Sequence, residues 1–158
     1  MQNTNAYMEG ISAAFEPMQA FWANRTPETE APARVMLQKD TTIFQYTHGA
    51  EFPERISPDA YTFDQYFLDR EGNDEIQIAL LHNYTSNVAL YDKWHEYFRA
   101  HQPQTLIVSG KNDPFFIPPG QEVFKRDLPD AEINLLEGGH FVLEEKSGEI
   151  AELIKNFF

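Results

Sequence analysis

The stretch QTLIVSGKNDPF, residues 104–115, indicates the fold of this chain. It opens with a short apolar run, rich in β-branched residues, that a Ser-Gly pair ends, which is the pattern of a buried strand. A second strand is predicted over residues 131–136, a helix near the prolines at 118–119, and a last helix where apolar residues recur over 150–157. The order strand, helix, strand, helix requires parallel strands and predicts an α/β fold here.

The residues before this stretch, up to about position 101, are predicted to be mostly helical. Apolar and aromatic side chains recur there at spacings of three and four. Thr26-Pro27-Glu28 and Ser57-Pro58-Asp59 each have the pattern of an N-cap followed by a first-turn proline and an acid. Between these two helix starts, residues 41–58 are predicted to be a loop, because Gly49, Pro53 and Pro58 interrupt the pattern.

Composition narrows the classes of function. The chain has 158 residues, which fits one domain or one piece of a larger domain. It carries 25 acidic and 12 basic residues, for a net charge of -13, which argues against binding to nucleic acid or to an anionic membrane. The absence of cysteine excludes disulfides and thiolate nucleophiles. Because no secretory signal or membrane-spanning run is visible, a cytoplasmic location is expected.

Two polar side chains directly follow the predicted strands. Asp113 lies in the loop after the first strand, and His140 lies in the loop GGH after the second. Functional groups of parallel sheets gather at the carboxyl ends of the strands, so these two side chains could face each other. A carboxylate bonded to an imidazole is the orienting half of a catalytic triad. The alternative is that Asp113 caps the turn before Pro114 and that His140 is a polar loop residue.

The motifs around these residues resemble a known superfamily. A strand followed by G-x-x-D-P-F, then L-P-x-A, then a strand followed by G-G-H-F and an amphipathic helix is similar to the C-terminal part of the α/β-hydrolases. The likeness is greatest to the branch of epoxide hydrolases and haloalkane or haloacetate dehalogenases. It implies a helical cap over residues 1–101 and the C-terminal β-α-β-α portion of the hydrolase sheet over residues 102–158, with the N-terminal half of the core absent. It also implies that Asp113 is the triad acid and His140 the triad base.

Two parts of the family pattern are missing. Neither G-x-S-x-G nor G-x-D-x-G, the motif that carries the nucleophile of these enzymes, occurs in the sequence. The oxyanion-hole H-G motif is also missing, since the pair His48-Gly49 falls in the cap region. A base and an acid without a nucleophile are expected to be inactive, so the chain alone should not turn over substrate. Two strands make a poor sheet, and we therefore expect a partner, either a second copy or a complementary N-terminal hydrolase fragment.

Four aromatic residues are candidates for the wall of a substrate pocket. Phe115 and Phe141 adjoin the two triad positions, while Tyr46 and Trp94 belong to the cap region. Aromatic cap residues contact the substrate in the resembled family, which implies a small apolar ligand. Ordinary packing is the alternative for most of them. The remaining histidines are scattered without metal-binding spacing, so we expect no metal site and no cofactor.

Three functions remain open at this point. The chain is an enzyme fragment whose site is completed elsewhere, a non-catalytic protein that binds a ligand or associates with itself, or a truncated reading frame with no role of its own. A neighbouring reading frame with a nucleophile motif would favour the first, and ligand binding by the chain alone would favour the second. Because the nucleophile selects among ester, epoxide and halide chemistry, the sequence predicts no single substrate.

Overall fold

Helices form most of the computed structural model, which describes residues 4–158. Short 3-10 turns at Met8–Gly10 and Ala13–Phe15 precede them. The helices before the sheet are α1 (Glu16–Ala23), α2 (Pro27–Val35), α3 (Lys39–Thr47), α4 (Pro58–Leu68), α5 (Asn73–Asn83), α6 (Thr85–Val88) and α7 (Tyr91–His101). The remaining elements are β1 (Leu106–Gly110), α8 (Pro119–Glu122) with a 3-10 turn at Val123–Arg126, β2 (Glu132–Leu136) and α9 (Val142–Phe157).

Both predicted helix starts are confirmed. The Thr26 hydroxyl accepts a hydrogen bond from the Thr29 backbone N–H at 3.3 Å, and the Thr29 hydroxyl accepts one from the Thr26 N–H at 2.9 Å. This reciprocal capping box, with Pro27 in the first turn, begins α2. At α4 the Ser57 hydroxyl accepts a bond from the Asp59 N–H at 3.3 Å.

The prediction of a loop over residues 41–58 is wrong for its first part, which α3 occupies. Tertiary contacts explain the difference, since they outweigh the weak helix propensity of a β-branched sequence. The Thr42 hydroxyl donates to Gln65 Oε1 at 2.7 Å, and the Tyr46 hydroxyl donates to Asp64 Oδ2 at 2.6 Å. Both bonds join α3 to α4, so α3 is stabilised by its neighbour rather than by its own sequence.

The two strands are parallel neighbours, as the order of elements predicts. Their register runs from Leu106 opposite Glu132 to Gly110 opposite Leu136. Ile107 on β1 packs into one core cluster, with residues that include Tyr7 and Phe124, while Val108 on the opposite face packs into another, below α9. The described part of the chain is therefore a mixed α/β structure with a two-stranded sheet.

A separate core cluster lies among the first helices. Met18 and Phe21 of α1 pack against Ala33 of α2 and Ile78 of α5, and all four side chains are buried. The N-terminal segment joins this region to the sheet, because the Ser12 N–H donates to the Phe115 carbonyl at 3.1 Å. Helices and sheet therefore meet at the loop that carries Asp113.

Within residues 4–158, none of the helices combines the length and the apolarity needed to span a membrane.

Candidate functional site

Asp113 is held in place by the turn that follows β1. One carboxylate oxygen, Oδ1, accepts hydrogen bonds from the backbone N–H groups of Phe115 at 2.8 Å and Phe116 at 3.1 Å. Pro114 has no N–H of its own, so these are the first donors available after it. The Asp113 side chain is fully buried. The capping role considered from the sequence is therefore present, and it uses only one of the two oxygens.

The second oxygen of Asp113 contacts His140. Asp113 Oδ2 lies 2.9 Å from His140 Nδ1, and the imidazole keeps 17% of its side-chain surface exposed. An ionised carboxylate only accepts hydrogen bonds, so Nδ1 of the neutral imidazole carries the proton. The lone pair then lies on Nε2, which is free to take a proton from another molecule. The two residues predicted to be triad acid and base are thus brought into direct contact.

Close backbone contacts set this geometry. The Lys111 N–H donates to the Leu136 carbonyl at 2.9 Å, and the Asn112 N–H donates to the Gly138 carbonyl at 3.0 Å, so the two loops stay paired beyond the strands. A Cβ atom at Gly110 would overlap the Gly139 carbonyl oxygen, and only glycine fits there. The absence of this Cβ lets the Asp113 and His140 loops run side by side.

The His140 loop is also fixed to the turn that follows α3. A Cβ atom at Gly139 would overlap the carbonyl oxygen of His48. The Asn112 side chain donates to the Gly49 carbonyl at 3.2 Å, and Glu145 of α9 accepts the N–H of Phe52 at 2.7 Å. These contacts hold the turn at residues 48–52 against the loops that carry Asp113 and His140.

An apolar cavity of about 330 Å³ opens beside His140. Its wall combines side chains from α1, α3 and α5 with the loop after β1. Three neutral polar residues interrupt this apolar wall: Gln45, Gln77 and Tyr84. The other lining residues are Phe15, Met18, Trp22, Met36, Leu37, Leu68, Leu81, Phe115, Phe116 and His140. A concave apolar site with a few polar groups beside a base is a typical small-molecule site.

The four predicted pocket aromatics lie in different places. Phe115 lines the cavity, with its ring 5.0 Å from the His140 ring. Phe141 lies 4.9 Å from His140 and stacks at 4.3 Å on Tyr46, whose ring borders a second, open groove along α4. Burial and the hydrogen bond to Asp64 raise the pKa of Tyr46 above its ordinary value. Trp94 packs against the core around Tyr7 and is not part of the cavity wall.

Several lining residues were not predicted from the sequence. Phe15, Met18 and Trp22 belong to one apolar stripe, which identifies a buried helix face but not what the face covers. Gln45 and Gln77 are polar residues on helices and give no local signal of a site. Only the packing of α3 and α5 brings them to the cavity.

Two serines near the site, Ser12 and Ser109, lack the hydrogen bond to His140 that would activate them as nucleophiles. The Ser12 hydroxyl donates to the Pro114 carbonyl at 2.6 Å and accepts from the Ala14 N–H at 3.2 Å. The buried Ser109 hydroxyl has no hydrogen-bond partner among residues 4–158, so it is not hydrogen-bonded to His140. Activation requires a hydrogen bond to the base. Over the same residues, no cluster of three or more histidine and carboxylate side chains could hold a metal ion.

Comparison with known proteins links the chain to a hydrolase. It is 32% identical, over 168 aligned residues, to an uncharacterized hydrolase of Saccharomyces cerevisiae. The alignment covers 99% of this chain but 56% of the yeast protein, so the chain spans little more than half the length of that relative. No family model matches the chain.

Proposed function

We propose that this chain supplies the acid and base of a hydrolytic site. Asp113 orients His140, and His140 activates a water molecule beside the apolar cavity. The observation that carries the proposal is the 2.9 Å contact between His140 Nδ1 and a fully buried carboxylate. Similarity to a protein described as a hydrolase supports the same reaction class.

The proton path follows from the tautomer. Nε2 of His140 accepts a proton from water, and the water oxygen attacks the electrophilic carbon of the covalent intermediate that this carbon forms with the nucleophile of the complementary fragment, as the O–H bond of the water breaks. The imidazole then carries a positive charge, which the adjacent Asp113 carboxylate stabilises. His140 later returns the proton to the leaving group. General-base assistance of this kind contributes roughly 10²–10⁴-fold to a rate.

The nucleophile of the proposed site comes from a complementary N-terminal hydrolase fragment. In this arrangement residues 1–101 are the helical cap and residues 102–158 the C-terminal part of an α/β-hydrolase core. The substrate would be a small apolar ester, epoxide or halide, as in the epoxide hydrolase and dehalogenase branch. The parallel strand pair and the motifs around Asp113 and His140 support this assignment.

The test is complementation. The chain is assayed with an aromatic ester and an epoxide, first alone and then co-expressed with a hydrolase fragment that carries G-x-S-x-G or G-x-D-x-G. We expect turnover only from the pair, and its loss in His140→Gln. His101→Gln is the matched control, because this exposed histidine ends α7 away from the cavity. Turnover by the chain alone that persists in His140→Gln would refute the proposal.

Self-association without catalysis is a second candidate function. An apolar groove of about 580 Å³ runs between β1 and α9, and Ile154 and Phe158 on its rim are 45% and 95% exposed. Exposed apolar surface next to a strand that has one sheet neighbour in residues 4–158 favours association with another chain. A second copy could fill this groove as well as an N-terminal fragment could.

A further inference from the structure

The polar side chains that line the cavity beside His140 differ from those of the chain as a whole, which is strongly acidic. Acidic residues are more than twice as numerous as basic ones in the sequence, yet within residues 4–158 no aspartate, glutamate, lysine or arginine lines the cavity. Its polar groups are Gln45, Gln77, the Tyr84 hydroxyl and His140 itself. A charged group of a ligand would therefore lose its water without gaining an ion-pair partner, which is unfavourable.

The two glutamines are available to a ligand. The Gln45 side chain reaches the Met36 carbonyl at 3.5 Å, and the Gln77 side chain reaches Asn73 Oδ1 at 3.5 Å. Both distances lie beyond the usual range for a hydrogen bond between nitrogen and oxygen. Each amide offers two N–H donors and a carbonyl acceptor, so each can bind a neutral polar group more strongly than it binds its present neighbour.

The apolar surface indicates the rest of the ligand. Trp22 is fixed in the wall, because its indole N–H donates to the Leu81 carbonyl at 2.8 Å and its ring stacks on Tyr84 at 5.3 Å. Phe15 and Phe116 stack on each other at 5.4 Å on the same wall. The cavity volume, about 330 Å³, is roughly twice that of an apolar protein cavity that holds benzene. It fits a ring with a short substituent.

We propose that this cavity selects an uncharged aromatic or aliphatic molecule with one neutral hydrogen-bonding group, which Gln45 and Gln77 anchor, and that it rejects carboxylates. The inference rests on the proposed function, since it names the substrate class of the same site. It places the reactive part of a neutral ester or similar compound next to His140 and excludes substrates that carry an acid group.

The experiment compares two probes of nearly equal shape, phenylacetamide and phenylacetate. Both are titrated into the unmodified full chain by calorimetry at pH 8, where phenylacetate is ionised. We expect phenylacetamide to bind at least tenfold more tightly, because the anion finds no cationic partner in the cavity. Equal or tighter binding of phenylacetate, or no binding of phenylacetamide, would overturn the inference.

Single substitutions locate the binding site. Gln45→Leu and Gln77→Leu should each weaken phenylacetamide about threefold to tenfold, the range expected for one lost hydrogen bond. Gln104→Leu is the matched control, because this exposed glutamine lies outside the cavity. Equal loss in all three variants would contradict the assignment. Fluorescence of Trp22 in a Trp94→Phe chain gives a second readout of occupancy, since Trp94 lies outside the wall.

The binding test of this inference and the turnover test of the proposed function can fail independently of each other. Selective binding of phenylacetamide by the chain, with no turnover in the complementation assay, would support the inference and refute the proposed reaction. If an ester that carries a carboxylate is turned over as fast as its neutral analogue, the proposed reaction is supported and the inference is refuted.

Discussion

Asp113 uses its two carboxylate oxygens for different purposes. Oδ1 accepts the backbone N–H groups of Phe115 and Phe116, while Oδ2 contacts His140. The sequence offered turn capping and imidazole orientation as alternatives, and a single buried carboxylate carries both hydrogen-bonding arrangements. The loop conformation and the imidazole tautomer therefore depend on the same side chain.

Substitution of Asp113 separates these two roles. In Asp113→Asn the amide oxygen still accepts the turn N–H groups, but the amide nitrogen faces His140 and favours the opposite tautomer. We expect a small loss of stability and a change of the protonated nitrogen from Nδ1 to Nε2, measured by ¹⁵N NMR of the imidazole. In the complemented enzyme the rate should fall by roughly 10⁴-fold.

Asp113→Ala is the companion variant, because it removes both roles. Its free energy of unfolding should fall by about 1–3 kcal/mol, as expected when buried N–H groups lose their acceptor. An unchanged imidazole tautomer in Asp113→Asn would show that the carboxylate does not orient His140.

Two glycines of the same chain should respond in opposite directions to alanine. At Gly139 a Cβ atom would overlap the His48 carbonyl, whereas at Gly148 in α9 nothing lies within 4 Å. Gly139→Ala should therefore destabilise the fold by about 1–3 kcal/mol. Gly148→Ala should stabilise it by about 0.5–1 kcal/mol, because alanine is the better helix former. Urea unfolding measures both changes in stability. Equal changes would contradict the close contact between the His140 loop and the turn at residues 48–52.

At the scale of elements, α7 is fixed to the sheet region by a buried polar group. Asp127, after the 3-10 turn, accepts hydrogen bonds from Tyr7 at 2.9 Å and from Arg99 of α7 at 2.9 Å. Burial raises the pKa of this carboxyl, but the bonds to Arg99 and Tyr7 outweigh burial, so the pKa lies below its ordinary value. The N-terminal segment, α7 and the sheet therefore share one carboxylate.

This lowered pKa predicts how stability depends on pH. A carboxyl group whose pKa is lower in the folded state stabilises the fold above its unfolded pKa of about 3.9. That contribution is lost as the pH falls through the folded pKa. We expect the free energy of unfolding to decline below about pH 4, and Asp127→Asn to show a smaller decline. Asp130→Asn, an exposed change nearby, is the control. Parallel profiles for all three proteins would contradict the role of Asp127.

Elements differ in how far the sequence predicts them. The parallel strands follow from two apolar runs with turn residues between them, and their order places Asp113 and His140 at the same edge of the sheet. The helix α3 could not be predicted in the same way, because Gly49 and Pro53 suggest a loop and its stability depends on contacts with α4. Gln45 lies on this helix, so its place in the cavity wall could not be predicted for the same reason.

On the scale of the whole molecule, two apolar regions differ in their surroundings. Helices of the chain and the loops of Phe115 and His140 line the cavity beside His140, whereas the groove between β1 and α9 carries the exposed side chains Ile154 and Phe158 on its rim. A side chain on the rim of this groove, Ile154, should therefore control association with another chain.

Light scattering of the purified chain tests this expectation. We expect a dimer or larger species, and Ile154→Lys should shift it toward the monomer by placing a charge in the apolar contact. Ile76→Lys is the matched control, since Ile76 is also exposed, on α5, and does not line the groove. A compact monomer of the unmodified chain that melts cooperatively would contradict self-association.

The contacts of the turn at residues 48–52 have a consequence for ligand exchange. This turn is held by Gly139, Asn112 and Glu145, so we expect the end of α3 nearest His140 to move together with the His140 loop. We therefore expect the helices beside the cavity to pivot about a hinge rather than to separate from the sheet as one lid. We expect the pivot to lie at this turn and the largest displacement to occur at the distant connection between α4 and α5. His140 would then keep its alignment while a ligand enters or leaves.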